Sequence, residues 1–100
     1  MSSDPTTGRM WPTPRLIRAA RGLANIDQHA LATAAGVSRK AVISLEGDTS
    51  EAMDFRRLQV LQKLQRVLQE KWRIEFLPEN RSFGKGVRFR KARQNKERRK

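Results

Sequence analysis

Gly36 and Ser38 leave the stretch from Asp27 to Glu46 one regular form, a pair of short helices. Glycine takes up a left-handed conformation at little cost, so Gly36 is a natural stop for the helix before it. Ser38 suits the N-cap of the helix after it, because its hydroxyl accepts from an N–H that the first turn leaves unpaired. Asp27 is the equivalent cap for the first helix. Leu31, Ala34 and Ala35 form the apolar face of that helix, and Val42 and Leu45, three apart, form that of the second. Two short helices joined by a tight glycine turn are the sequence form of a helix-turn-helix.

The flanking segments are equally periodic. Thr13-Pro14 opens an earlier helix, with threonine as cap and proline at the first helical position, where its missing N–H costs nothing. Leu16, Ile17, Ala20, Leu23 and Ala24 recur on one face of it, Arg15, Arg18 and Arg21 on another. Trp11, just before the cap, is placed to fold back on this helix. A long amphipathic helix is expected from Asp54 to about Lys71, with Leu58, Leu61, Leu64, Leu68 and Trp72 at steps of three or four. Val60 and Val67 widen its apolar side, and the excess around Leu61, Leu64 and Leu68 is either ordinary core or a dimer surface. The period then drops to two. Residues 73–77 and 86–90 alternate, with Ile74, Phe76, Val87 and Phe89 on one face and turn residues between them, which reads as a β-hairpin. A lone hairpin is marginal in water, so it should pack on the helices or pair with the strands of a second subunit.

Charge narrows the class of partner. The 100 residues carry 22 Lys and Arg against 10 Asp and Glu, a net charge of +12, which points to polyanions. Residues 81–100 alone hold ten bases against one acid, Glu97. Residues 91–100 are nearly devoid of apolar side chains and are expected to form a basic disordered tail; residues 1–12 read as a flexible leader. No apolar run is long enough to span a membrane, none near the start reads as a secretory signal, and there is no cysteine. A cytoplasmic, nucleoid-associated chain is therefore expected. A single histidine, His29, and no thiolate cannot assemble a zinc site or a catalytic triad, so neither an enzyme nor a cofactor is expected.

The segment from Gln28 to Glu46, QHALATAAGVSRKAVISLE, resembles the helix-turn-helix of Cro and the phage repressors, the XRE-like family. Gln28, Leu31, Ala32, Ala35, Gly36, Val37, Val42 and Leu45 match that pattern; Glu46 and the upstream Ile17-Arg18-Ala19-Ala20-Arg21 agree with it too. The likeness extends over about residues 13–75. Ala32 is the small residue that lets the two helix axes approach. Alanine at 41 and isoleucine at 43 depart from the Thr or Ser common in the family, so the base sequence read by relatives is not carried over.

The resemblance implies a mainly α chain: a helix-turn-helix bundle of four to five helices over residues 13–72, a C-terminal hairpin over 73–90 that can serve dimerisation, and the basic tail. It implies that the second helix of the pair enters the major groove of duplex DNA. Arg39, Lys40, Ile43 and Ser44 lie opposite Val42 and Leu45 and are the base-reading candidates, Arg39 for guanine and Ile43 for a thymine methyl. Gln28 is the candidate phosphate contact and, as the resemblance implies, a brace for the reading residues. Ser38, at the start of the reading helix, and Arg88, Arg90, Lys91 and Arg93, on and beyond the second strand, complete the candidate DNA-binding set. The expected function is a transcriptional regulator, a repressor or autoregulator, acting as a homodimer on a two-fold operator. The alternatives are an interaction module, such as an antitoxin or bridging factor with a protein partner, and RNA binding through the basic arm.

Overall fold

The computed structural model describes residues 11–49 and 53–91. Four helices and one hairpin follow in order: α1 (Pro14–Ala24), α2 (Gln28–Ala35), α3 (Arg39–Glu46), α4 (Phe55–Lys71), β1 (Ile74–Leu77) and β2 (Gly86–Phe89). The fold is mainly α, with four helices among the described residues.

Each helix starts where a side-chain oxygen is available to its first turn. Thr13 Oγ1 accepts from the Leu16 N–H at 3.2 Å, Asp27 Oδ1 from Ala30 at 2.8 Å, Ser38 Oγ from Ala41 at 3.0 Å and Asp54 Oδ1 from Arg57 at 2.9 Å. Two helices end on a left-handed residue: α1 on Asn25 (φ 60°) and α2 on Gly36 (φ 72°). Gly36 is required there by its backbone and not by crowding, since a Cβ at this position would meet nothing within 4 Å. Gly36→Ala is therefore expected to cost about 1–2 kcal/mol in a denaturant titration, all of it from φ. Gly36→Asn, which tolerates this conformation better, should cost less.

Every element contributes to a single core, β2 only through the half-buried Val87. Leu16, Ile17 and Ala20 come from α1, Leu31 and Ala32 from α2, Val42 and Leu45 from α3, Leu61, Leu64 and Leu68 from α4, and Ile74 and Phe76 from β1. Burial of Ala32 fits its expected place at the crossing of α2 and α3, which pack directly on each other. Trp11 is half-buried against this core and Pro12 is fully buried, so the chain is already engaged before α1, where a flexible leader was expected up to residue 12. The expected leader's first ten residues lie outside the described range.

Several faces differ from those expected of the periodicity. Leu23 is 39% exposed and Ala34 is exposed, because α1 and α2 turn narrower sides inward than their apolar content allows. The wide apolar side of α4 is consumed within the chain. Leu61, Leu64 and Leu68 are at most 1% exposed, and Leu58, Val60, Val67 and Trp72 pack around the same core. One ground for expecting a dimer surface, the surplus on this helix, is thereby removed.

The hairpin is antiparallel, with Ile74 opposite Phe89 and Phe76 opposite Val87. It packs on α1 and α4. Ile74 is fully buried, yet Phe89 opposite it is 53% exposed, so the shared apolar face ends before the end of β2. The chain enters β1 through Arg73 at φ 58°, a left-handed position filled by a bulky residue. Two hydrogen bonds hold it: the Arg73 carbonyl accepts from the Arg90 N–H at 2.7 Å, and its guanidinium donates to the Lys91 carbonyl at 3.3 Å. Among the described residues no helix is long and apolar enough to cross a membrane.

Candidate nucleic-acid interface

The turn from α2 to α3 is three residues, Gly36-Val37-Ser38, and Val37 packs partly into the core. The Gly36 N–H donates to the Thr33 carbonyl and the Val37 N–H to the Ala32 carbonyl, so the last carbonyls of α2 are satisfied inside the turn. Helix α3 then has two unlike sides. Val42, Leu45 and Glu46 are buried, whereas Arg39, Lys40, Ile43 and Ser44 are exposed. Ile43 is 47% exposed. Among the described residues neither Arg39 nor Lys40 forms an ion pair, so the outer face of α3 carries two free cations beside an aliphatic and a hydroxyl group. Ser38 accepts one bond at the cap and keeps its hydroxyl proton to donate.

What holds α3 in place is a charged cluster around Glu46, the one buried charged residue of the described chain. Arg21 of α1 grips its carboxylate with two bonds, Nε to Oε2 at 2.8 Å and Nη2 to Oε1 at 2.9 Å. The same guanidinium donates to the Ile26 carbonyl in the α1–α2 loop at 3.2 Å. Gln28 Nε2 adds a third donor to Glu46 Oε1 at 3.1 Å, and Arg18 Nη1 donates to the Glu46 carbonyl at 3.0 Å. A cation on the last carbonyl of α3 also opposes the negative end of its dipole. Hydrogen bonding to Glu46 pushes the Arg21 guanidinium above its ordinary pKa, against the opposing effect of burial. A raised base pKa stabilises the fold below the ordinary arginine value and is lost only at higher pH, so this pair contributes evenly through the neutral range.

Gln28 thus sits at the start of α2 with its side chain on α3. Its amide braces the C-terminal end of α3, away from Arg39 and Lys40 at the start of that helix. At the start of α2 beside it, the Asp27 carboxylate accepts from the Ala30 N–H.

The remaining candidates lie on the hairpin. Arg88, exposed, is paired across the strands with the half-buried Glu75 at 3.0 Å; Arg90 and Lys91 are exposed. Arg93 lies outside the described residues, as does the tail from residue 92 onward. The hairpin packs on α1 and α4, and the α2–α3 pair packs on the same two helices, so the two candidate surfaces are separate elements on a common support. The roles of Arg18 and Arg21 as anchors went unread in the sequence, because Arg15 shares their spacing of three and is exposed. No family model, no curated protein and no solved structure matches the chain.

Proposed function

We propose that the chain is a sequence-specific DNA-binding regulator whose α2–α3 pair is a helix-turn-helix, with α3 as the reading helix in the major groove. The observation that carries this reading is the two-sided character of α3. Its inner side is locked by buried apolar residues and a three-donor carboxylate, and its outer side presents Arg39, Lys40, Ile43 and Ser44 to solvent. Rigid support beneath a mixed cationic and apolar face is what direct readout of bases requires, since donors must meet base edges in fixed geometry. Arg39 is assigned to a guanine edge and Ile43 to a thymine methyl. Net positive charge supplies the sequence-independent part of the affinity. Repression is the activity proposed, because it requires no more of the site than occupancy.

Footprinting on the DNA upstream of the protein's own coding sequence tests the reading, with a discrete protected site as the expected result. Uniform, salt-sensitive protection without a boundary would overturn it. Deleting residues 91–100, which carry six bases, should weaken specific and non-specific duplexes alike. If half of those charges engage phosphates, the slope of log K against log salt becomes shallower by roughly 3, measured by titration at several salt concentrations.

A further inference from the structure

The hairpin holds aromatic surface that the core does not use. Phe83 is 73% exposed and Phe89 is 53% exposed, and neither belongs to the core or to the half-buried residues packed on it. Both rings stand on fixed backbone. Phe83 sits in a turn closed by Asn80: its carbonyl accepts from the Asn80 N–H at 2.8 Å, and Asn80 Oδ1 accepts from the N–H groups of Ser82 and Phe83 at 2.7 and 2.8 Å. Phe89 is paired in the strand ladder opposite Ile74. The same segment, residues 73–91, carries six basic side chains against two acids, and one of those acids, Glu75, is paired with Arg88.

The cationic surface continues beyond the hairpin. Lys85, two residues from Phe83, lines an open groove of about 420 Å³ together with Arg15 and Arg18 of α1. Two acids also line it, but Glu46 is held by Arg21 and Asp48 by Arg57. The uncommitted charge of the groove is positive.

We propose that the hairpin is a second nucleic-acid site, taking single-stranded DNA with bases stacked on Phe83 and Phe89 and phosphates on Lys85, Arg15 and Arg90. Preorganised aromatic faces interleaved with cations are the chemistry that binds unpaired strands, because every base has a π face and stacking needs no hydrogen-bond pattern. Duplex DNA hides its base faces and would use the cations alone. A second copy of the chain is disfavoured, since a two-fold contact would set this positive hairpin against itself. The choice of DNA over RNA rests on the proposed reading of α3; the site itself does not.

The test is fluorescence anisotropy of the full chain with four probes of equal length: oligo(dT), oligo(U), an abasic strand and a mixed-sequence duplex. The double variant Phe83→Ala/Phe89→Ala is compared with wild type, and Phe83→Leu/Phe89→Leu keeps apolar bulk without stacking faces. Both pairs lie outside the core, and circular dichroism checks the fold. The expected result is a loss of about tenfold per ring on oligo(dT), similar for the alanine and leucine pairs, with the salt slope and duplex affinity nearly unchanged. Lys85→Gln should instead make the salt slope on oligo(dT) shallower by about 1. Equal wild-type affinity for oligo(dT) and the abasic strand, or an equal loss on the duplex, would overturn the site. Tighter binding of oligo(U) would overturn the choice of DNA. A wild-type dimer that the double variant abolishes in sedimentation would assign the rings to self-association instead. Failure of an α3 variant on duplex DNA leaves all these readouts unaffected, so the two sites are judged separately.

Discussion

Replacing Arg21 by methionine should lower the stability of the chain by about 3 kcal/mol, because it leaves the buried Glu46 carboxylate with only Gln28 as a side-chain donor. The reverse replacement is milder. Glu46→Gln keeps a polar partner for Gln28 and leaves Arg21, one-fifth exposed, able to turn toward water, for a cost of about 1–2 kcal/mol. Replacing both at once, Arg21→Met with Glu46→Gln, removes the charge with its partner and should recover much of the loss seen in Arg21→Met. Urea unfolding of the four proteins gives this cycle directly. Equal costs for the two single variants, summing in the double, would mean that the pair is not coupled and does not clamp α3. The cost should be flat across the neutral pH range, since the raised Arg21 pKa keeps the guanidinium charged throughout.

The second large effect concerns the outer face of α3. Arg39→Ala should cost roughly 1–3 kcal/mol on the preferred duplex, up to about a hundredfold in affinity, and relax preference at one base pair. Non-specific duplex should lose far less. Ile43→Ala should act chiefly where the preferred duplex carries thymine, through the loss of a methyl contact. Anisotropy titrations on preferred and scrambled duplexes separate the two terms. An equal loss on both would reduce Arg39 to a phosphate contact.

Much of this molecule was legible in the sequence because its signals are local. Thr13, Asp27, Ser38 and Asp54 are caps that act on N–H groups three residues away, and Gly36 stops α2 through its own φ. The alternation of residues 73–77 and 86–90 likewise located both strands. What the sequence concealed depends on contacts between distant residues. The bond from Arg21 to Glu46 spans 25 positions, and nothing local distinguishes Arg21 from its exposed neighbour Arg15. The apolar side of α4 looked wider than a small domain needs, yet α1, α2, α3 and β1 together cover it. Phe89 shares a face with three residues that the protein buries or half-buries, yet it is 53% exposed, a difference that the alternation cannot show. Arg73 in a left-handed conformation carries no glycine to announce it; the return of β2 onto its carbonyl sustains it.

The central claim is that α3 reads base sequence, and selection from a random duplex library tests it most directly. Wild type and Arg39→Ala are each carried through the same rounds, and the recovered sequences are compared. A defined motif for wild type, with one position losing its guanine preference in Arg39→Ala and the rest retained, is the result this account predicts. Absence of a motif, or the same motif from both proteins, would contradict it.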